Sequence, residues 1–204
     1  MAEQTKVTTL EKVVIRFSGD SGDGMQLTGT IFSNLSAIFG NEISTFPDYP
    51  AEVRAPQGTL SGVSGFQVHL GSRKIFTPGD KADVLVAMNP AALKVNVKNI
   101  KPNAIVIIDT DSFKKSDLDK ALFTTDDPFK ELGLNSVQVV AAPISTMVKD
   151  GLAEFGLDNK SALRSKNMFA LGLVCWLFDR PLEEAMHMLQ NKFAKKPVIA
   201  QANI

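Results

Sequence analysis

Two rhythms of apolar residues run along this chain. Short β-branched runs predict buried strands: Val13-Val14-Ile15, Val84-Leu85-Val86-Ala87-Met88, Ala104-Ile105-Val106-Ile107-Ile108 and Val137-Gln138-Val139-Val140-Ala141. Met25, Leu27, Thr28, Ile31, Phe32, Leu35, Ile38 and Phe39 recur at helical spacing instead, and Gly40 follows where a helix-ending glycine belongs. Glu42 to Phe46 predicts a short strand. Phe66, Val68 and Leu70 alternate with Gln67 and His69, so a further strand is expected over Leu60 to Leu70. Gly71-Ser72 then reads as a hairpin turn into Arg73-Lys74-Ile75-Phe76. Pro90 suits the first position of a short helix reaching Val97. After Pro143 the pattern is helical: Ile144 to Phe155, Ala162 to Phe178, and Asp179 to about Lys195. Pro197 to Ile204 reads as a linker or strand. The order predicts an α/β fold, a mostly parallel Rossmann-like sheet covered by helices, with an inserted antiparallel hairpin.

The unit from Val13 to Gly40 organises the chain. Its strand passes into its helix through Gly19-Asp20-Ser21-Gly22-Asp23-Gly24. Ligands of open α/β sheets bind beyond the carboxyl ends of strands, where helix N-termini offer free N–H groups. The pattern G-x-x-G-x-G is neither a dinucleotide fingerprint nor a P-loop, and Asp20 and Asp23 would oppose a phosphate. A ligand cradle and a plain tight turn, with Asp23 as helix N-cap, explain it equally well. Gly22-Asp23-Gly24 also begins like a thiamine diphosphate motif, but the window downstream holds Tyr49-Pro50-Ala51-Glu52 and no Asn, so that motif is absent here.

Pro47 to Gly58 carries three prolines and forms a long loop, a type that is commonly functional. It presents Arg54, readable as a ligand contact or as an ion-pair partner of Glu52 or Asp48. Asn89 and Asp109 both close strands, and their plainest roles are a helix cap and an Asx turn. Arg164 and Asn167 open the long helix and can face a site. The second half of that helix is apolar almost all round, which predicts burial or an interface.

Composition narrows the classes. The chain has 204 residues, enough for one sizeable core, and 22 basic residues balance 22 acidic ones. That balance gives no nucleic-acid footprint and no polybasic membrane surface. A single cysteine, Cys175, excludes an internal disulfide framework and a cysteine-built cluster site. His69 and His187 have no partner at zinc spacing. No long apolar run spans a bilayer, and a cytoplasmic location is expected.

Several stretches together resemble a known family. They are the glycine loop, Pro47-Asp48-Tyr49-Pro50-Ala51-Glu52-Val53-Arg54, Ser61-Gly62-Val63-Ser64 and Lys166-Asn167-Met168-Phe169-Ala170-Leu171-Gly172. The sequence is similar to the gamma domain of 2-oxoacid:ferredoxin or flavodoxin oxidoreductases, the N-terminal part of the alpha subunit in 2-oxoglutarate-type enzymes. Ser21 and Asp23 replace a Gly and a Gln common in that family, and Ala55-Pro56 stands where Gly-Gly often follows the arginine; both look like subgroup features. The resemblance implies residues 1–12 as a flexible start, 13–196 as the gamma domain, and 197–204 as a linker toward a thiamine-binding domain. It implies oxidative decarboxylation of a 2-oxoacid to an acyl-CoA. Thiamine diphosphate, magnesium and an iron–sulfur cluster would lie in other domains or subunits, with ferredoxin or flavodoxin as electron acceptor. This domain would cover the active site and help bind coenzyme A, and alone would be inactive. The candidate coenzyme A contacts are Gly19, Asp20, Ser21, Gly22, Asp23, Gly24, Arg54, Asn89 and Asn167. No catalytic residue or metal ligand is assigned to this chain. Two other readings are a free-standing Rossmann-type nucleotide-binding protein and a ligand-free subunit-interaction domain.

Overall fold

A computed structural model describes residues 8–50, 60 and 62–204. Six strands form one sheet: β1 (Lys12–Asp20), β2 (Glu42–Asp48), β3 (Val63–Gly71), β4 (Ala82–Ala87), β5 (Ile100–Asp109) and β6 (Gln138–Ala142), in the order β2-β3-β1-β4-β5-β6. β1, β4, β5 and β6 pair in parallel. β3 is antiparallel to both of its neighbours, β1 and β2. Hence β3 alone runs against the other five. Their carboxyl ends, including Asp20, Ala87 and Asp109, share one edge.

The inserted antiparallel strand is therefore real, but its hairpin partner differs from the expected one. β3 pairs with β2 upstream, and residues 72–81 form no strand. Gln67 Nε2 donates to the carbonyls of Pro78 and Gly79, at 2.9 and 2.7 Å, and His69 Nδ1 donates to that of Thr77 at 2.7 Å. The chain after Gly71 thus packs along β3 through side-chain bonds instead of laddering onto it.

Helix α1 (Met25–Ile38) covers one face of the sheet. Phe17 of β1 meets Phe32 edge-on, with ring centroids 5.9 Å apart, and both are fully buried. Gly29 has no side chain where a Cβ would strike the Phe66 ring, so α1 seats directly on β3. Gly40 ends this unit with φ +78°, as expected of a helix-terminating glycine. The opposite face carries α2 (Pro90–Asn96), against Val14, Leu85, Val106 and Ile108. Arg16 is buried on that side, bonded to Asn96 and Gln67 and paired with Asp48, so its guanidinium charge is compensated inside the fold.

The connection from β5 to β6 holds two short helices, α3 (Lys115–Lys120) and α4 (Pro128–Glu131). Next come α5 (Ile144–Gly151), α6 (Asn159–Leu163), α7 (Lys166–Leu177), α8 (Glu183–Lys192) and α9 (Pro197–Ala202). Two expectations change here. The helix anticipated over 162–178 is broken at Arg164–Ser165, and the break makes Lys166 the start of a new helix. Residues 197–202, expected as linker or strand, are helical: Pro197 occupies the first turn, and Ala200 and Ala202 are buried. One side of α7, with Met168, Val174 and Cys175, enters the core, while Phe169, Leu173 and Trp176 line an apolar surface groove. Among the described residues no helix is long and apolar enough to cross a membrane.

Candidate functional site

A cleft of about 340 Å³ opens at the carboxyl edge of the sheet, where β1, β4 and β5 end. The strand ends bring Asp20, Met88 and Asn89 to it, the loop contributes Asp23, and the chain after β5 contributes Asp111 and Ser112. Asp117 and Lys120 of α3 and Lys166 of α7 complete the polar lining. This position is where open α/β sheets bind ligands.

Each wall has a local cause. Asn89 Oδ1 accepts the Ala92 N–H at 2.8 Å, which caps α2, and its Nδ2 donates to Asp20 Oδ1 at 2.9 Å. The expected cap is therefore present, and the same side chain ties two strand ends together. Asp109 makes the expected Asx turn by accepting from the Asp111 N–H at 3.2 Å. It also accepts from Ser112 Oγ, the Ser145 N–H and Ser145 Oγ, at 3.0, 3.1 and 2.6 Å. Lys166 Nζ lies 3.6 Å from Asp109 Oδ2, an ion pair joining the head of α7 to the end of β5.

Asp23 departs from expectation. The N-cap of α1 is Gly24, with φ +73°, and no side chain bonds to that helix end. Asp23 Oδ2 reaches backward and accepts the Asp20 N–H at 2.9 Å. The carboxylate closes the turn beneath the helix, not the helix itself. Gly19 permits this, since a Cβ there would stand 2.7 Å from Asp23 Oδ2. Burial raises the Asp23 carboxyl above its ordinary value, Lys166 and the Asp20 N–H pull it down, and Asp20 and Asp109 push it up. Asp111 titrates lower than usual because the Thr146 N–H donates to it.

Of the candidate contacts, Asp20, Asp23 and Asn89 line the cleft. Gly19, at the end of β1, and Ser21, Gly22 and Gly24, in the turn that follows, lie beside it without lining it. Asn167 is buried against Gly24, and its backbone carbonyl lies 3.4 Å from Thr28 Oγ1, so it braces the loop from behind. Arg54 lies outside the described residues. Lys166, beside Asn167 on the same helix turn, also lines the cleft and is not among the sequence candidates. A signal existed: a lysine at a helix start opposes the macrodipole and needs a compensating reason.

The comparisons with known proteins agree with this architecture. Residues 14–204 match the family model described as pyruvate ferredoxin/flavodoxin oxidoreductase. The chain is 48% identical over 195 residues to 2-oxoglutarate oxidoreductase subunit KorA of Mycobacterium tuberculosis (strain ATCC 25618 / H37Rv). That alignment covers 96% of this chain and 30% of the relative, so the chain spans under a third of that protein's length. Among solved structures it is similar to the 2-oxoglutarate:ferredoxin oxidoreductase of Magnetococcus marinus, solved with 2-oxoglutarate, coenzyme A and succinyl-CoA bound. The TM-score is 0.70 at 27% identity, covering 96% of this chain and 29% of that one. The gamma subunit of a keto/oxoacid ferredoxin oxidoreductase from Geobacter sulfurreducens shares the fold, with a TM-score of 0.61 at 21% identity, covering 94% of each chain. The chain thus belongs to the pyruvate ferredoxin/flavodoxin oxidoreductase family.

Proposed function

We propose that this chain is the gamma module of a 2-oxoglutarate-type 2-oxoacid:ferredoxin oxidoreductase. In that role it covers the active site and contributes to coenzyme A binding as the 2-oxoacid is decarboxylated to an acyl-CoA. The observation that carries the reading is the 48% identity to a 2-oxoglutarate oxidoreductase subunit along nearly the whole chain. The cleft at the strand ends supports a ligand role, as does the presence of coenzyme A in the Magnetococcus marinus relative. Lys166 and Lys120 offer positive charge to a phosphate, while Asp20, Asn89 and Ser112 offer acceptors to hydroxyl and amide groups. Thiamine diphosphate with magnesium, the iron–sulfur cluster and the docking of ferredoxin or flavodoxin belong to other modules, and the complex is cytoplasmic. This module alone does not oxidise 2-oxoacids.

The test joins this chain, in place of the matching segment, to the remainder of a 2-oxoglutarate oxidoreductase. Coenzyme A-dependent reduction of ferredoxin by 2-oxoglutarate should be restored. A fusion that assembles yet supports no coenzyme A-dependent turnover with any 2-oxoacid overturns the proposal.

A further inference from the structure

Two glycines in the groove between α5, α7 and α9 have no reason inside this fold. Gly172 sits in the interior of α7, Gly151 ends α5, and both line the groove. Neither has a positive φ, and a Cβ on either would meet nothing within 4 Å among the described residues. Glycine inside a helix is destabilising relative to alanine. What Gly172 leaves open is the groove floor. The groove encloses about 460 Å³ between walls that include Met147, Leu152, Phe169, Leu173 and Ile204, and among the described residues no charged side chain lines it. Trp176 stands in its wall 76% exposed. Tryptophan is mostly well buried on average, and it is enriched where partners bind.

The walls and the size of this face select its occupant. Without charges it offers an ion or a nucleic acid nothing to pair with. A groove between helices, with Met147 and Met168 as adaptable contacts, takes the apolar face of another helix. The exposed apolar surface of Trp176, Met147, Leu182 and Ile204 amounts to a few hundred Å². An interface that holds two separate molecules buries about 800 Å² on each. A second free copy would therefore be held weakly, whereas a partner on the same chain needs less, because a tether supplies a high effective concentration. The matched segment is 30% of the Mycobacterium tuberculosis relative and 29% of the Magnetococcus marinus chain, so both carry much polypeptide besides it. Asn203 and Ile204 lie in the groove wall, and a chain running on from Ile204 would start there.

We propose that this groove is the docking site of the adjoining module of a longer oxidoreductase chain, which seats the apolar face of a helix over Gly172 and against Trp176. The identity of that module rests on the function proposed above, whereas the apolar groove and its unexplained glycines do not.

The experiment compares the fusion described above with the 204-residue chain alone. Hydroxyl-radical footprinting read by mass spectrometry reports the exposure of single side chains. Trp176 and Met147 should oxidise at least fivefold more slowly in the fusion than in the chain alone, while Phe76, exposed and outside the groove, stays within twofold. Gly172→Leu fills the groove floor with a good helix former. The melting temperature of the chain alone should hold or rise, and Trp176 should oxidise as fast in the variant fusion as in the variant chain. Trp176→Glu, at an exposed position, should leave the melting curve of the chain unchanged and abolish the shielding of Met147. A fusion that turns over 2-oxoglutarate with Trp176 and Met147 as reactive as in the chain alone overturns the docking and leaves the proposed function standing. Shielding without turnover upholds the docking and counts against that function, and an assembled fusion with neither overturns both. Shielding in the chain alone, with the sedimentation mass of a dimer, gives the face to a second copy and overturns the proposal.

Discussion

Asn167 and Gly24 interlock: a Cβ on Gly24 would collide with Asn167 Nδ2, and Gly24 has φ +73°. The glycine is thus required twice, once by its backbone and once by its neighbour. Gly22, in the same loop, meets nothing within 4 Å. Gly24→Ala should cost about 2–3 kcal/mol, from left-handed backbone strain plus the clash. Gly22→Ala should change stability by less than about 0.5 kcal/mol. Urea midpoints at constant m-value decide this, and equal losses at both positions would show that the loop acts as a unit.

Asp23→Asn should stabilise the chain at neutral pH. The Asp23 carboxyl is raised above its ordinary 3.8, chiefly by burial. A raised carboxylate favours folding while protonated, so its contribution is full below 3.8 and is lost as pH rises through the folded value. Asparagine keeps an acceptor for the Asp20 N–H and removes the charge. The melting temperature at pH 7 should rise, and its dependence on pH through the acidic range should flatten. An unchanged pH profile would contradict this.

Much of the sheet was legible because β-branched runs such as 104–108 bury on both faces and leave little choice. The pairing of β3 was not. Its alternation fits a hairpin in either direction, and the choice of β2 depends on register contacts such as Phe46 with Gln67 and Ile43 with Leu70. Asp23 as N-cap was a fair local inference, defeated by the turn, which needed an acceptor for the Asp20 N–H. Helix α9 hid behind Val198 and Ile199, whose β-branching suggests a strand, although Pro197 marks a helix start. Lys166 gains its meaning from Asp109, a partner distant in sequence that no spacing rule reaches.

Removing Asp109 should be severe. Asp109→Ala deprives two serine hydroxyls and two N–H groups of an acceptor and strands Lys166 beside a void. A loss of roughly 3–5 kcal/mol is expected, as for one half of a buried pair. Ser145→Ala removes one hydroxyl donor and should cost about 1 kcal/mol. Chemical denaturation measures both, and comparable small losses would place Asp109 in a solvated setting.

Cys175 should be silent. It is fully buried, and burial pushes its thiol up to about 11. With thiolate as the reactive form, labelling by a disulfide reagent at pH 8 should follow the rate of global or local opening and accelerate in denaturant. Immediate stoichiometric labelling of the native chain would refute this.

The place of β1 in the sheet also dictates an order of events during synthesis. Ile15 lies beside Val68 on one side and Val84 on the other, and both arrive long after it. β1 thus stays open on one side until β4 is made. Until Ala87 has left the ribosome, β1 and α1 form an amphipathic pair with one sheet edge open, and closing that edge joins residues far apart in sequence, a slow step. A nascent chain halted before β4 should bind trigger-type chaperones through Val13, Ile15 and Phe17, and release should coincide with the emergence of Val84-Leu85-Val86.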